Sequence, residues 1–420
     1  MNSIEVILIL FQLFKGVSRM DAIDVLTNLD KVKAYFQPIF SADEHIVVAY
    51  EISGKLVKDE ELVSLNSFAY DDDIPEEYRI EVEHKILHKA LSRLQEEANE
   101  FDIYLPCNAN LLMLDFGESY FEIIKQYVSE EELGRIVLVI SEHDFKGEFN
   151  QLHNILRYFR TYGMKIAINQ VGSKSHLDYI KMLSPNILKL SIKDLSYESW
   201  SAQNDLFTSL GILAHKIGAN MLFESIDNEH QLQFAWKNGG RYYQGKYLVD
   251  AQEAIIPRDH LKKGFKERCR QFIATEKRML DENYNTLKNL QHTLEKSVQR
   301  MKLVSDSTVQ LLELAKELDE YSFRLYICDE EGFQTSPNII RINKEWEIQE
   351  DAINKNWSWR PYFLKTIIQM RNDQSGVISD LYSDIVTGEM TRTFSVPING
   401  GLYLFIDISY DYLFQHNIFR

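Results

Sequence analysis

Between residues 35 and 250 short runs of β-branched and aromatic residues alternate with longer stretches of helical periodicity, and this constrains the fold more than any other feature. The runs are "IVVAYEIS", "FDIYLPCNA", "RIVLVISE", "KIAINQVG", "ILKLSI", "MLFESI" and "YYQGKYLV"; "IEVEHKILHKALSRLQEEA" and "LHNILRYFRTYG" lie between them. Strands separated by helices pair in parallel, because each crossover returns the chain to the same end of the sheet. Seven or eight such units predict an α/β fold, a TIM-like (β/α)8 barrel over residues 20–257. A doubly wound open sheet is the structural alternative. Barrel geometry places function at the carboxyl ends of the strands. No glycine-rich phosphate loop of the dinucleotide or P-loop type follows any of them.

After the barrel the pattern changes. Residues 258–302 contain no proline, one glycine and a dense mixture of charged residues and leucine, which predicts a linker helix within 258–318. Leu280, Leu287, Leu294 and Met301 recur every seven residues. That spacing suits a dimeric coiled coil or, equally, a helix packed against a neighbouring domain. Residues 319–420 read as a small α+β domain: "SFRLYICDEEGF" is a strand and turn, and "RTFSVPINGGLYLFIDIS" two strands joined by an Asn-Gly-Gly hairpin.

Charge narrows the partners. A formal net charge of -17 disfavours nucleic acid and anionic membranes, which are themselves polyanionic. Cys107, Cys269 and Cys328 lie far apart without metal-binding or disulfide spacing, as expected in a reducing cytoplasm. The opening "MNSIEVILILFQLFKGVSRM" has an apolar run about half the length of a membrane span. It has no basic start or small-residue cleavage site. Residues 1–19 are expected to be an upstream extension before Met20, or an additional docking helix.

The motifs "QPIF" (37–40), "YEISGK" (50–55), "VISEHDF" (139–145), "IAINQVGS" (166–173), "LSPNILKLS" (183–191), "FESID" (223–227) and "YYQGKYL" (242–248) occur in the order found in the EAL-domain family, which the barrel resembles. Active members of that family are cyclic-di-GMP phosphodiesterases. With the long helix and a PAS-like tail, the resemblance to one subgroup extends over nearly the whole chain.

The resemblance implies a metal-assisted reaction. Divalent ions activate water and offset phosphate charge, and Mg²⁺ or Mn²⁺ wants oxygen ligands, mostly carboxylates. Glu51 matches the family's first metal ligand and Glu224 a later carboxylate; Lys189 and Gln244 are also retained, and Gln37 belongs to the first motif. The expected asparagine falls on Pro106, with Asn108 as the substitute if the register slips. A family glutamate becomes Val139, while the one that steadies the adjoining loop is kept as Glu142. The paired aspartates become Asn169 and Gln170, a further aspartate becomes Ser191, and a glutamate becomes Asp227. Only Glu51, with Asn169 as a weak neutral donor, is left to bind a cation. No competent catalytic set is expected, and no cofactor unless residual activity requires Mg²⁺ or Mn²⁺.

The same substitutions, at 139, 169, 170 and 191, remove about four negative charges that would repel a dianion. Lys55, where the family has a phosphate-binding arginine, and Lys189 remain. The resemblance therefore implies a nucleotide receptor built on Gln37, Glu51, Lys55, Asn169, Lys189, Glu224 and Gln244. A weakly active phosphodiesterase and a non-binding scaffold for dimerisation or partner contacts are the alternatives. In the scaffold reading Gln37 and Gln244 satisfy backbone, and Lys189 pairs with Glu224 as structure.

The tail resembles PAS-like or Cache-like sensors. "NWSWRPYF" clusters Trp357, Trp359, Arg360 and Tyr362. As a small-molecule site, Arg360 would hold a carboxylate and Asp380 or Asp407 an amine; as core, the rings simply supply burial. The expected assembly is a homodimer.

Overall fold

The computed structural model describes residues 22–58, 61–95, 97, 101–172, 175–193, 200–301, 307–360, 363–398, 400–416 and 418. The expected extension 1–19 and Tyr362 lie outside them. The chain divides into two compact units, the first ending at Arg270 and the second spanning Gln271–Arg420.

The first unit is a closed eight-stranded barrel. Its strands are β1 (Val32–Ser41), β2 (Val47–Lys58), β4 (Asp102–Pro106), β5 (Ile136–Ile140), β6 (Lys165–Ile168), β7 (Ile187–Ser191), β8 (Asn220–Glu224) and β9 (Tyr242–Tyr243); a short β3 (Glu61–Ser64) folds back onto β2. Pairing is parallel from β2 through β4 to β9. The strand missing from the alternation is β1, which runs antiparallel to both β2 and β9. Residues 42–46 leave no room for a crossover helix, so β1 and β2 form a hairpin.

Alternation along each strand sorts side chains into layers. Ile39, Ala49, Tyr104, Val137, Val139, Ala167, Ile187 and Leu222 form a buried cluster on the inner face, with Tyr242 packed against it. Two residues farther toward the carboxyl ends of the parallel strands, the same face carries Glu51, Pro106, Asn169, Lys189, Glu224 and Gln244. The β1 register places Gln37 directly opposite Glu51.

The second unit has a six-stranded antiparallel sheet in the order β12-β11-β10-β17-β16-β13, where β10 is Ser322–Asp329, β11 Asn338–Ile342, β12 Glu345–Gln349, β13 Val377–Ile378, β16 Thr393–Ile398 and β17 Leu402–Ile408; β14 (Tyr382–Ser383) and β15 (Met390–Thr391) form a separate pair. Gly400 and Gly401, with φ of 79° and 76°, make the β16–β17 turn that side chains would strain. One helix runs from Lys262 to Met301. Within the second unit its Leu290, Leu294 and Val298 join the sheet's core, with Leu287 and Met301 packed against it. Leu280 is 57% exposed. Most of the seven-residue stripe is thus occupied by packing within the chain.

Candidate functional site

The carboxyl ends of the barrel strands surround a cavity of about 690 Å³. Gln37, Glu51, Lys55, Asn169, Lys189, Glu224 and Gln244 all line it. Gly245, which follows Gln244, has φ 151°, and a Cβ there would stand 2.3 Å from both the nitrogen and the oxygen of Ile226. Only glycine lets the β9 end approach the loop after β8 this closely.

At the centre is an ammonium between two carboxylates. Lys189 Nζ lies 2.5 Å from Glu51 Oε1 and 3.1 Å from Glu224 Oε2, and the lysine side chain is 1% exposed. Burial alone would push its pKa down; the two carboxylates more than offset that and hold it above the usual lysine value. Gln244 Nε2 donates to Glu51 Oε2 at 2.7 Å and reaches Glu224 Oε2 at 3.5 Å. Gln37 instead donates to the carbonyl of Val249 at 2.8 Å, closing a strand end. Lys55 is placed over the ring of Tyr35, 4.1 Å from its centroid.

The substituted positions explain what the cavity lacks. Val139 belongs to the buried inner cluster and offers no donor. Pro106 lines the cavity. Asn108 is turned to other work: its side chain accepts from Asn110 N, donates to the carbonyl of Ala69, and caps the short helix Ala109–Leu112. Asn169 Oδ1 is buried and has no hydrogen-bond partner among the described residues. Gln170 has a left-handed backbone, φ 52°. Glu142 accepts from His176 N at 3.1 Å, tying the loop after β5 to the one after β6. Among the described residues no group of three or more His, Cys, Asp and Glu side chains is arranged to hold a metal ion. The two carboxylates best placed for a cation share Lys189, and Asn169 Oδ1 is a further, neutral oxygen on the cavity lining.

Among the cavity residues that sequence reasoning missed is a buried carboxylate. Glu83, on the helix Glu76–Gln95, lines the inner wall with Tyr70, Cys107 and Tyr120. It accepts from Asn108 N at 3.0 Å, yet burial pushes its pKa up to about 7. The only available signal was a carboxylate between Val82 and Ile86 in an amphipathic helix, a pattern shared with any solvated helix face.

In the second unit Trp357 and Arg360 line a small cavity of about 10 Å³ with Tyr326, Thr393 and Phe405. The Arg360 guanidinium lies 4.5 Å from the Trp357 ring centroid. Trp359 is 63% exposed. Asp380 is exposed and outside the cavity lining. Asp407 is completely buried, accepting from Arg324 Nε at 2.6 Å and from the Thr393 hydroxyl at 2.6 Å. The sheet's internal ion pair, completed by Asp384 on Arg324, therefore occupies it.

Comparisons with known proteins place this geometry. Residues 20–251 match the EAL domain, and residues 255–419 match the EAL-domain associated signalling protein domain. The chain is 46% identical over 405 residues to the EAL-domain containing protein YkuI of Bacillus subtilis (strain 168), covering 95% of this chain and 99% of that one. It superposes on the crystal structure of B. subtilis YkuI in complex with substrate c-di-GMP and calcium with a TM-score of 0.90 and 44% identity, over 96% of this chain and 100% of that chain.

Proposed function

The chain belongs to the EAL-domain family, and on that premise we propose that its barrel is a cyclic-di-GMP receptor that binds the dinucleotide without hydrolysing it and without a divalent cation. The observation that carries this reading is the depleted donor set: Val139, Asn169, Gln170 and Ser191 stand where the family has carboxylates, which leaves Glu51 and Glu224 paired with Lys189. An ammonium already bridges Glu51 and Glu224, and a cation held there would meet that positive charge at contact distance.

The relative crystallised with c-di-GMP and calcium supports the dinucleotide as ligand; the metal-free part of the reading rests on this chain's own donor set. Lys55 supplies positive charge at the wall and Lys189 offsets part of the charge of Glu51 and Glu224, while Gln37, Asn169 and Gln244 supply amides to a cavity of sufficient volume. Lysine at 55 attracts a phosphate as a point charge and forgoes a guanidinium's two-pronged geometry. Hydrolysis is missing an activated water: Val139, Asn169, Gln170 and Ser191 provide no carboxylate to hold a metal or accept a proton. We read the second unit as a PAS-like sensor and the whole as a cytoplasmic homodimer that couples ligand occupancy to its helix. In that sensor Arg360 would anchor a carboxylate once the small cavity beside Trp357 widens.

The test is calorimetric titration of cyclic-di-GMP into the full chain, first in EDTA and then in Mn²⁺, with product analysis of each sample. Binding in EDTA without product is expected. Linear dinucleotide formed in Mn²⁺, or no binding in either buffer, would overturn the reading.

A further inference from the structure

The barrel is hollow at its other end as well. Below the Tyr104 and Tyr242 layer, the amino ends of the strands are polar: Asp102 opens β4, Arg135 precedes β5, Lys165 opens β6 and Asn220 opens β8. Alanine at 49 and 167 leaves the layer above them thin. The result is a bowl of about 430 Å³, within the range of a small-ligand site.

Arg135, Arg241 and Arg258 converge on this bowl, and Tyr104 and Tyr242 line it. Arg135 donates through Nε to the carbonyl of Phe101 at 2.9 Å and through Nη1 to Glu132 at 3.0 Å; its Nη2 has no partner among the described residues. Arg241 is oriented by Asp43 at 2.8 Å and by Asn220 at 3.1 Å, with its guanidinium 5.6 Å from the Tyr242 ring centroid. The lining carboxylate of Asp102 is already matched by Lys165 at 2.5 Å. Counting Lys165 and Glu132 with the lining residues Asp43, Glu44 and Asp102, cations and carboxylates balance. A balanced wall with oriented guanidinia suits one compact oxyanion on a small flat body and disfavours a polyphosphate.

We propose that this amino-terminal bowl is a second ligand site, taking a small phosphate monoester or carboxylate whose oxyanion meets Arg241 and Arg258 and whose body lies against Tyr104 and Tyr242. Its walls reach the root of the long helix. Arg258 lies four residues before Lys262, and the turn that supplies Asp43 and Glu44 also carries His45, whose ring packs 5.5 Å from that of Phe265. Occupancy is thereby felt where the helix leaves the barrel, independently of the dinucleotide cavity at the opposite end.

The experiment saturates the full chain with cyclic-di-GMP, titrates it with phenyl phosphate and separately with benzoate, and follows ligand-observed NMR and melting temperature. Binding of at least one probe with Kd below about 1 mM is expected, and which one binds identifies the oxyanion. Arg258→Gln should weaken it about tenfold. Arg241→Lys, which keeps the charge but loses the fork, should weaken it less. Each variant's probe-induced shift is read against its own melting temperature without probe. No binding of either probe at about 10 mM, unchanged affinity in Arg258→Gln, or displacement by excess cyclic-di-GMP would overturn the proposal.

Discussion

Replacing Lys189 by methionine removes the one positive charge between Glu51 and Glu224 while keeping most of the side chain's volume. In the wild type the two carboxylate oxygens stand 2.5 and 3.1 Å from the ammonium. At a separation near 5 Å and an effective dielectric constant of about 20, two unit negative charges repel by about 3 kcal/mol. Breaking a buried pair by deleting one partner costs about 3–5 kcal/mol, a range that includes this repulsion. Lys189→Met should therefore lose about 3–5 kcal/mol of unfolding free energy in EDTA. It should also regain part of that loss in millimolar Mn²⁺ or Ca²⁺, because the freed carboxylates can then share a cation. The assay is urea unfolding of both proteins in EDTA and in each metal. A variant as stable as wild type in EDTA would refute the reasoning, and so would a wild type stabilised by Mn²⁺ as strongly as the variant.

Glu83 sets a pH dependence. Its folded pKa of about 7 lies above the ordinary 4.5, so its contribution to stability is fully present below 4.5 and is lost as pH rises through 7. The loss amounts to about 3 kcal/mol, and Glu83→Gln, which preserves an acceptor for Asn108 N, should abolish it in unfolding curves at pH 5 and pH 8. Leu294 is fully buried and Leu280 is 57% exposed, so Leu294→Ala should cost about 2–5 kcal/mol and Leu280→Ala less than about 0.5. Equal losses would mean that the exposed stretch of the helix is covered in solution, and analytical ultracentrifugation would show by how much the mass grows. Installing Val139→Glu, Asn169→Asp, Gln170→Asp and Ser191→Asp together should create Mn²⁺ binding detectable by calorimetry; no gain over wild type would refute the view that these four positions are what bars the ion.

The barrel was legible because period-two alternation and ordered motifs both report strand ends. Each motif residue at a strand's carboxyl end lies on an inner face, and geometry alone brings Gln37, Glu51, Asn169, Lys189, Glu224 and Gln244 into one cavity. The direction of β1 was not legible, because "QPIF" looks the same in a parallel or an antiparallel strand; only the length of the 42–46 connection distinguishes them. The scaffold reading anticipated a Lys189–Glu224 pair, but spacing could not reveal that Lys189 on β7 also reaches Glu51 on β2, across the barrel. In the tail, a β-strand aspartate such as Asp407 reads as a binding group until its partner is known. Arg324 lies 83 residues away in sequence, but β10 pairs with β17 and brings the two together.

The bridge made by Lys189 also differs in kind from one made by a metal. A bound ion obeys mass action: it dissociates when its free concentration falls, and a chelator can remove it. An ammonium fixed to β7 has no free concentration and no dissociation constant, because the chain delivers it each time the barrel closes. A cavity whose carboxylates are bridged in this way keeps that counter-charge in metal-starved and metal-rich surroundings. On the receptor reading proposed above, its ligand occupancy then reports the ligand's own concentration without metal as a second variable.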